Sequence, residues 1–303
     1  MRKAMSMDAV LIAGPTASGK SAAALALAEH IGGTIVNADS MQVYAELSVL
    51  TARPSAADEA RVPHRLYGHV SAQERYSVGR YQEEAAAALA EARNAGRIPI
   101  FAGGTGLYFD VLTKGLSPIP AIPSGVREAT RRRFDEMGRD AFFAELQQRD
   151  PPTAGKLRIS DTQRLLRAMD VVEATRRPLS QWHHMSGEPI LAGLRVARFV
   201  LSPPRDVLVE RTDRRFREMV NNGAVEEARA LMSLQPDLPA AHALGVPQLW
   251  RYLRGETSLD EAIEAAQLAT RQYVKRQSTW FRNRMSDWIW LENGNLSNFI
   301  TTM

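Results

Sequence analysis

The chain has 303 residues, 38 Lys+Arg against 34 Asp+Glu and a net charge of +4, with 45% hydrophobic residues, which suits one large or two smaller domains and excludes global disorder. The absence of cysteine excludes disulfide frameworks, thiolate catalysis, iron–sulfur clusters and Cys-type zinc sites, and suits a reducing cytoplasm. No apolar run reaches the roughly 18 residues of a membrane span, and the short one after Met1-Arg2-Lys3-Ala4 lacks the form of a secretory signal.

Residues 9–13 read as a short buried strand that Gly14-Pro15 ends. An Ala/Leu-rich helix is expected over 20–31, stopped by Gly32-Gly33, and a second strand over 34–38 leads to Asp39-Ser40. The spacing predicts a helix over 83–94 with Gly96 past its end, then a strand over 98–102 running into Gly103-Gly104-Thr105-Gly106. Strands alternating with helices imply a parallel sheet covered on both faces, with ligands at the carboxyl ends of the strands. Ser21, Asp39 and Thr105 are therefore expected to approach one another. Ser117-Pro118-Ile119-Pro120-Ala121-Ile122-Pro123 reads as a stiff connector. Residues 127–177 are helix-like and broken at Pro151-Pro152, strand character returns over 196–201, and helices are expected over 205–220, 224–234 and 258–284. The expected fold class is α/β: a P-loop-type parallel sheet flanked by helices. Residues 1–117 and 196–303 would form its core and 118–195 a helical insertion domain.

Gly14-Pro15-Thr16-Ala17-Ser18-Gly19-Lys20-Ser21 matches G-x-x-x-x-G-K-[ST] between a strand and a helix. Backbone N–H groups of such a loop can wrap a phosphate, Lys20 adds a point charge, and the Ser21 hydroxyl can ligate Mg²⁺. The pattern points to a diphosphate without specifying ATP. Asp39 could hold metal or deprotonate an acceptor, or could be a turn residue. Thr105 and its neighbours could face the same phosphates, or could only make a close-packed turn. No Walker-B-like carboxylate stands out, which disfavours a motor ATPase. Residues 265–286 hold no acidic residue, and their basic residues are Arg271, Lys275, Arg276, Arg282 and Arg284. With Tyr273, Trp280 and Phe281 interleaved, that helix suits single-stranded nucleic acid, or equally a solvated basic face. His183-His184 lacks zinc-ligand spacing.

The motifs GPTASGKS (14–21), ADSMQVY (38–44), TARPS (51–55), VPHRLYG (62–68), AGGTGLY (102–108), DTQRLLRAMDV (161–171) and TRQYVKRQSTWFR (270–282) resemble the tRNA dimethylallyltransferase, or isopentenyltransferase, family over nearly the whole chain. The resemblance implies an enzyme that moves a dimethylallyl group from dimethylallyl diphosphate to N6 of adenosine 37, in tRNAs reading codons that begin with U. It implies that Gly14, Pro15, Thr16, Ala17, Ser18, Gly19, Lys20 and Ser21 hold the diphosphate, with Mg²⁺ on Ser21. Asp39 is implied as general base, Thr105 as its neighbour near the diphosphate, and Arg215 as the group that neutralises the leaving group, with Arg211 as the alternative. The tRNA-contacting residues it implies are Asp39, Ser40, Met41, Gln42, Arg127, Gln163, Arg164, Leu165, Leu166, Arg167, Lys275, Arg276, Gln277, Ser278, Thr279, Trp280, Phe281 and Arg282.

The implied partners are dimethylallyl diphosphate and a tRNA anticodon stem-loop, gripped by 118–195, with the protein a cytoplasmic monomer that binds no membrane. The chain departs from the family at Glu46-Leu47-Ser48-Val49-Leu50 and at Gly245-Val246-Pro247. Two rival readings are a small-molecule P-loop kinase, with Asp39 deprotonating a hydroxyl, and a nucleotide-gated RNA-binding protein without catalysis. The basic-aromatic helix and the large insertion favour the transferase over the kinase, and Asp39 at a strand end disfavours a pure binder.

Overall fold

The computed structural model describes residues 7–185, 187–292 and 296. In chain order the elements are β1 (Ala9–Ala13), α1 (Lys20–Ile31), β2 (Gly33–Asn37), α2 (Ala56–Arg61), β3 (His64–Arg65), α3 (Val78–Asn94), β4 (Ile98–Gly103) and α4 (Gly106–Lys114). Then follow α5 (Ser124–Met137), α6 (Arg139–Arg149), α7 (Pro151–Ala154), α8 (Thr162–Thr175) and α9 (Leu179–His183). The last are β5 (Val196–Leu201), α10 (Arg205–Asn221), α11 (Ala224–Ala230), α12 (Val246–Leu253), α13 (Leu259–Arg284) and β6 (Ile289–Leu291).

The strands form one sheet in the order β3-β2-β4-β1-β5-β6, with every pairing parallel. Side chains alternate across it, as a period of two requires. Ala9, Leu11 and Ala13 of β1 join Val36, Phe101 and Val200 on one face, packed against Tyr81 and Ala85 of α3, Phe109 of α4 and Phe281 of α13. Val10 and Ile12 join Ile35, Ile100 and Phe199 on the other face, against Ala24, Leu27 and Ala28 of α1. Each fully buried Leu, Ile or Phe in these layers contributes about 1.5–3 kcal/mol. Both faces are covered, so the strands read as continuous apolar runs.

Register places the site. Ala13 pairs with Gly103 and Asn37 with Ala102, so β1, β4 and β2 end side by side. A Cβ on Gly103 would fall 2.0 Å from the Ala38 carbonyl oxygen, which is why the closest approach between β4 and β2 needs glycine. A further core, beyond the sheet, gathers Val43, Leu47, Leu50, Phe216, Leu249 and Trp250 from the 43–50 segment, α10 and α12.

The chain divides into two compact units, residues 1–113 with 190–303, and residues 114–189. Residues 190–195, which the sequence reading assigns to the insertion, side with the sheet unit because the Leu191 N–H donates to Leu112 O at 3.0 Å and the Arg195 N–H to Asp8 Oδ2 at 2.9 Å. Residues 114–117 go the other way, since Gly115 packs against Gly187: a Cβ there would lie 2.2 Å from the Gly187 carbonyl oxygen.

The helical unit has its own core of Ile122, Phe142, Leu146, Leu165 and Met169. Arg133 and Arg149 alternate with Glu145 and Glu173 in a ring of ion pairs, with Arg133–Glu173 at 2.7 Å and Arg149–Glu173 at 2.5 Å. Helix α3 starts at Val78 rather than 83, because the Ser77 side chain accepts the Arg80 N–H and caps it. The elements α2, β3, α4, α12 and β6 have no counterpart in the sequence reading. Strands β3 and β6, two and three residues long, are too short to show a period.

Candidate active site

The turn after β1 wraps Gly14–Ser21 into the start of α1. Lys20 Nζ reaches the Pro15 carbonyl at 3.4 Å, and Ser21 is exposed. Lys20 and Ser21 line a cleft of about 300 Å³ whose far wall is Arg211, Arg214, Arg215 and Glu218 of α10. Burial lowers Lys20 to about 8, opposed by the negative charge of Asp39 and reinforced by the positive charge of Arg215. Burial also depresses Arg215, and Asp39 and Glu218 oppose that shift. Lys20, Arg215 and Asp39 therefore feel one another's charge. Half-buried Lys20 and Arg215, with Arg211 and Arg214 on the wall of Arg215, outnumber the carboxylates of Asp39 and Glu218 that act on them, so the cleft favours an anion.

Asp39 is held by its own strand end. The Asp39 N–H donates to Asn37 Oδ1 at 2.8 Å, and Asn37 Nδ2 donates back to Asp39 O at 2.8 Å and to Leu66 O at 3.0 Å. Carboxylate oxygen Oδ1 accepts the Met41 N–H at 3.0 Å. Thr105 locks the same segment from β4. Its N–H donates to Ala38 O at 3.1 Å, its Oγ1 accepts the Ser40 N–H at 2.9 Å, and its hydroxyl donates to Ser40 Oγ at 3.3 Å. Thr105 thus fixes the residues on either side of Asp39, whereas Ser21 lies opposite α10 in the cleft, whose lining includes neither Asp39 nor Thr105. Burial, aided by the charge of Asp39, raises Tyr67, Tyr108 and Tyr273 well above the usual phenol range. All three phenols are therefore neutral and feel the charge of Asp39. Tyr67 and Tyr273 fall within the motifs quoted above, but nothing in their spacing marks them.

Several expected contacts change. In the 14–21 loop the N–H of Thr16 donates to Gln277 Oε1 at 2.9 Å, and Pro15 has no N–H, so neither offers a backbone donor to a diphosphate. Gln277 is itself buried, and its Nε2 donates to Gly104 O at 2.9 Å. It ties loops together instead of facing outward. Phe281 and Leu165 lie in apolar cores, and Leu166 packs against the helical one, because each falls on the inward face of its helix. The buried side chains of Gln277, Phe281 and Leu165 therefore face inward and not toward a tRNA, while Leu166 is half-buried. Ser278 turns its hydroxyl back to Val274 O at 2.9 Å, and Gln42 spends its amide on Thr51 O and Ala52 O, at 2.9 and 3.1 Å.

Lys275, Arg276, Thr279 and Arg282 are exposed along α13, whereas Arg271 is paired with Asp213 at 2.6 Å. Trp280 lies over the start of α4, where a Cβ on Gly106 would meet its ring at 2.3 Å. Met41 is half-buried against the α10–α13 core. On the helical unit Arg127, Gln163, Arg164 and Arg167 are exposed.

The departing segment 46–50 has a local explanation. Glu227 of α11 accepts the N–H groups of Ser48, Val49 and Leu50, each at 2.8 Å, and the Ser48 hydroxyl at 3.0 Å. Glu46 accepts the Ala72 N–H at 2.8 Å. No motif singles out Glu227, which lies 177 residues from Leu50 along the chain.

A family model described as IPP transferase matches residues 42–284, most of the chain. The chain belongs to the IPP transferase family. This IPP transferase is 53% identical over 285 residues to a tRNA dimethylallyltransferase of Nitrobacter hamburgensis, covering 93% of this chain and 90% of that protein. It is 50% identical over 286 residues to one of Rhizobium meliloti, covering 94% of each. Its fold matches the tRNA isopentenylpyrophosphate transferase of Bacillus halodurans at a TM-score of 0.68 and 30% identity, over 98% of this chain and 94% of that one. It also matches a eukaryotic dimethylallyltransferase captured acting on tRNA, at a TM-score of 0.82 and 25% identity, over 98% and 76%. The IPP transferase is thus an enzyme, a transferase with a P-loop-type α/β core.

Proposed function

We propose that this IPP transferase moves the dimethylallyl group of dimethylallyl diphosphate to N6 of adenosine 37, in tRNAs reading codons that begin with U. The observation that carries the reading is the cleft in which Lys20 and Ser21 of the 14–21 loop face Arg211, Arg214 and Arg215 of α10, with Lys20 and Arg215 both within the field of Asp39. An allylic diphosphate ionises readily once its leaving charge is neutralised, and fixed cations in a partly dry cleft do that with little reorganisation. Adenine N6 is a poor nucleophile because its lone pair is delocalised. The N6–C1 bond forms as the C1–O bond breaks, diphosphate departs onto the Gly14–Ser21 loop and Arg215, and the N6 proton passes to Asp39. Asp39 Oδ1 accepts the Met41 N–H, which leaves Oδ2 the more basic and less encumbered oxygen for the proton. Thr105, bonded to Ser40, keeps that carboxylate in place.

The donor set fits Mg²⁺. Among the described residues no group of three or more His, Cys, Asp or Glu could cage a metal ion, but Mg²⁺ typically needs only one or two protein oxygens beside phosphates. The exposed Ser21 hydroxyl in the cleft supplies one. When bound, Mg²⁺ would add charge neutralisation at the leaving diphosphate.

Lys275, Arg276 and Arg282 on the sheet unit, and Arg127, Arg164 and Arg167 on the helical unit, are exposed cations suited to the phosphates of an anticodon stem-loop. An adenine in an unpaired loop is inexpensive to unstack toward Asp39. Among the described residues no helix is long and apolar enough to cross a membrane, and tRNA is a cytoplasmic substrate. We assign the enzyme to the cytoplasm, as a monomer. The test is incubation with radiolabelled dimethylallyl diphosphate and bulk tRNA, followed by nuclease mapping. Label on adenosine 37 is expected. Label absent from tRNA, with γ-phosphate of ATP passing to a small alcohol instead, would establish the kinase reading.

A further inference from the structure

Gln277 lies on the buried side of α13, 5% exposed, and uses its amide at both ends. Its Oε1 accepts the Thr16 N–H at 2.9 Å and the Thr16 hydroxyl at 3.4 Å, and its Nε2 donates to the Gly104 carbonyl at 2.9 Å. Thr16 belongs to the turn after β1 and Gly104 to the turn after β4. One side chain from a third element therefore spans the two turns between which the reacting groups sit. The space is tight: a Cβ on Gly104 would fall 2.4 Å from Gln277 Nε2 and 3.3 Å from Asp39 Oδ2. The amide and the carboxylate flank the same glycine.

We propose that Gln277 is a positioning residue, which fixes the diphosphate loop against the turn that carries Thr105 and so holds donor and proton acceptor in one geometry. This rests on the reading of residues 14–21 as the diphosphate loop. The Thr16 N–H, committed to Gln277, sets the plane of the Pro15–Thr16 peptide and with it the direction in which the following N–H groups point. The tie needs an acceptor and a donor on one planar group at the end of this chain length, which an amide or a protonated carboxyl supplies. An ionised carboxylate would satisfy Thr16 but turn a second acceptor toward the Gly104 carbonyl. A thioether of similar volume would leave both loop groups buried and unpaired. The same helix exposes Lys275, Arg276 and Arg282 on its outer side, so the element that would grip the acceptor also seats the donor loop.

The test is calorimetric binding of inorganic pyrophosphate to the full chain, as wild type, Gln277→Met and Gln277→Glu, at about pH 8 and about pH 5.5, with melting curves for each. Gln277→Met is expected to weaken pyrophosphate about 10- to 100-fold relative to wild type at both values. Gln277→Glu should lose as much at the higher pH and recover toward wild type at the lower one, because burial at this position raises a carboxyl above its ordinary range and lets it hold the proton it donates to Gly104. A purely packing role would show no such recovery. Variants that bind pyrophosphate as wild type does, or a Gln277→Glu deficit equal at both pH values, would overturn the proposal. A lower melting temperature with unchanged affinity would do the same. Wild type failing to bind pyrophosphate at either pH would instead overturn the diphosphate-loop reading and remove the premise of the tie.

Discussion

Replacing Glu227 by alanine removes the acceptor for four donors at once: the N–H groups of Ser48, Val49 and Leu50 and the Ser48 hydroxyl, at 2.8–3.0 Å. Hydrogen bonds to a charged group are worth about 1.5–3 kcal/mol each, but the two from exposed Ser48 can be replaced by water and count for little. The N–H groups of half-buried Val49 and buried Leu50 cannot be replaced so readily, and each left unpaired costs about 1–3 kcal/mol. The expected loss is therefore about 2–6 kcal/mol. At roughly 2–4 °C per kcal/mol for a unit of this size, Tm should fall by roughly 4–24 °C. Glu227→Gln keeps one acceptor oxygen and should lose about half as much.

The consequence reaches the site, because Gln42 is held by the carbonyls of Thr51 and Ala52 just past the capped segment. At a temperature where the variant is folded, its KM for tRNA should rise while pyrophosphate affinity stays near wild type. Thermal melts of both variants, with steady-state kinetics on tRNA, read both effects. An alanine variant within about 1 kcal/mol of wild type would show that water replaces the carboxylate freely, and the reasoning would fail.

Asp39→Ala should lower kcat by roughly 10²–10⁴ with pyrophosphate affinity little changed, and single-turnover transfer near the wild-type rate would remove Asp39 from the proton transfer. With Lys20 near 8 in the free protein, and its charged form favoured by diphosphate, affinity should fall as pH rises through about 8 and binding there should take up a proton. Calorimetry in buffers of different ionisation enthalpy measures that uptake, and a Lys20→Arg variant with the same uptake would place the proton elsewhere. Replacing Lys275 and Arg282 together by alanine should raise the tRNA KM, flatten its salt dependence by roughly two phosphate contacts and spare pyrophosphate binding; equal weakening of both substrates would point to damage of the fold. Hydrogen bonds from Arg149, opposed by partial burial and helped by Arg133, hold Glu173 below the usual carboxylate range. Its contribution is therefore present above that range and lost as pH falls through its lowered value. Glu173→Ala should weaken the helical unit by about 1–3 kcal/mol at neutral pH, seen as faster amide exchange over 114–189, and a difference that persists unchanged in acid would refute the assignment.

The sequence by itself determined what local chemistry can encode. The glycine spacing of 14–21, the apolar runs of β1, β2, β4 and β5, and the Gly32 stop of α1 are each written within a few residues, and they place Lys20 at a helix start and Asp39 and Thr105 just past strand ends. The strand order does not follow from such patterns. That β4 lies between β2 and β1, which is what lets Thr105 bond Ser40 and Gly104 sit beside Asp39, depends on pairings between segments some 60–90 residues apart.

Helical periodicity over 161–171 and 270–282 shows that one face is buried, but which residues lie inward depends on what the helix packs against. Leu165, Phe281 and Gln277 could thus be read as facing outward until their cores and partners were in place. Gln277 and Glu227 show the limit most plainly. Each completes the hydrogen bonding of a loop that lies more than 170 residues away. An amide or carboxylate on a helix carries no mark of that duty in its own neighbourhood, because the orphaned N–H and C=O groups it satisfies exist only once the chain has folded.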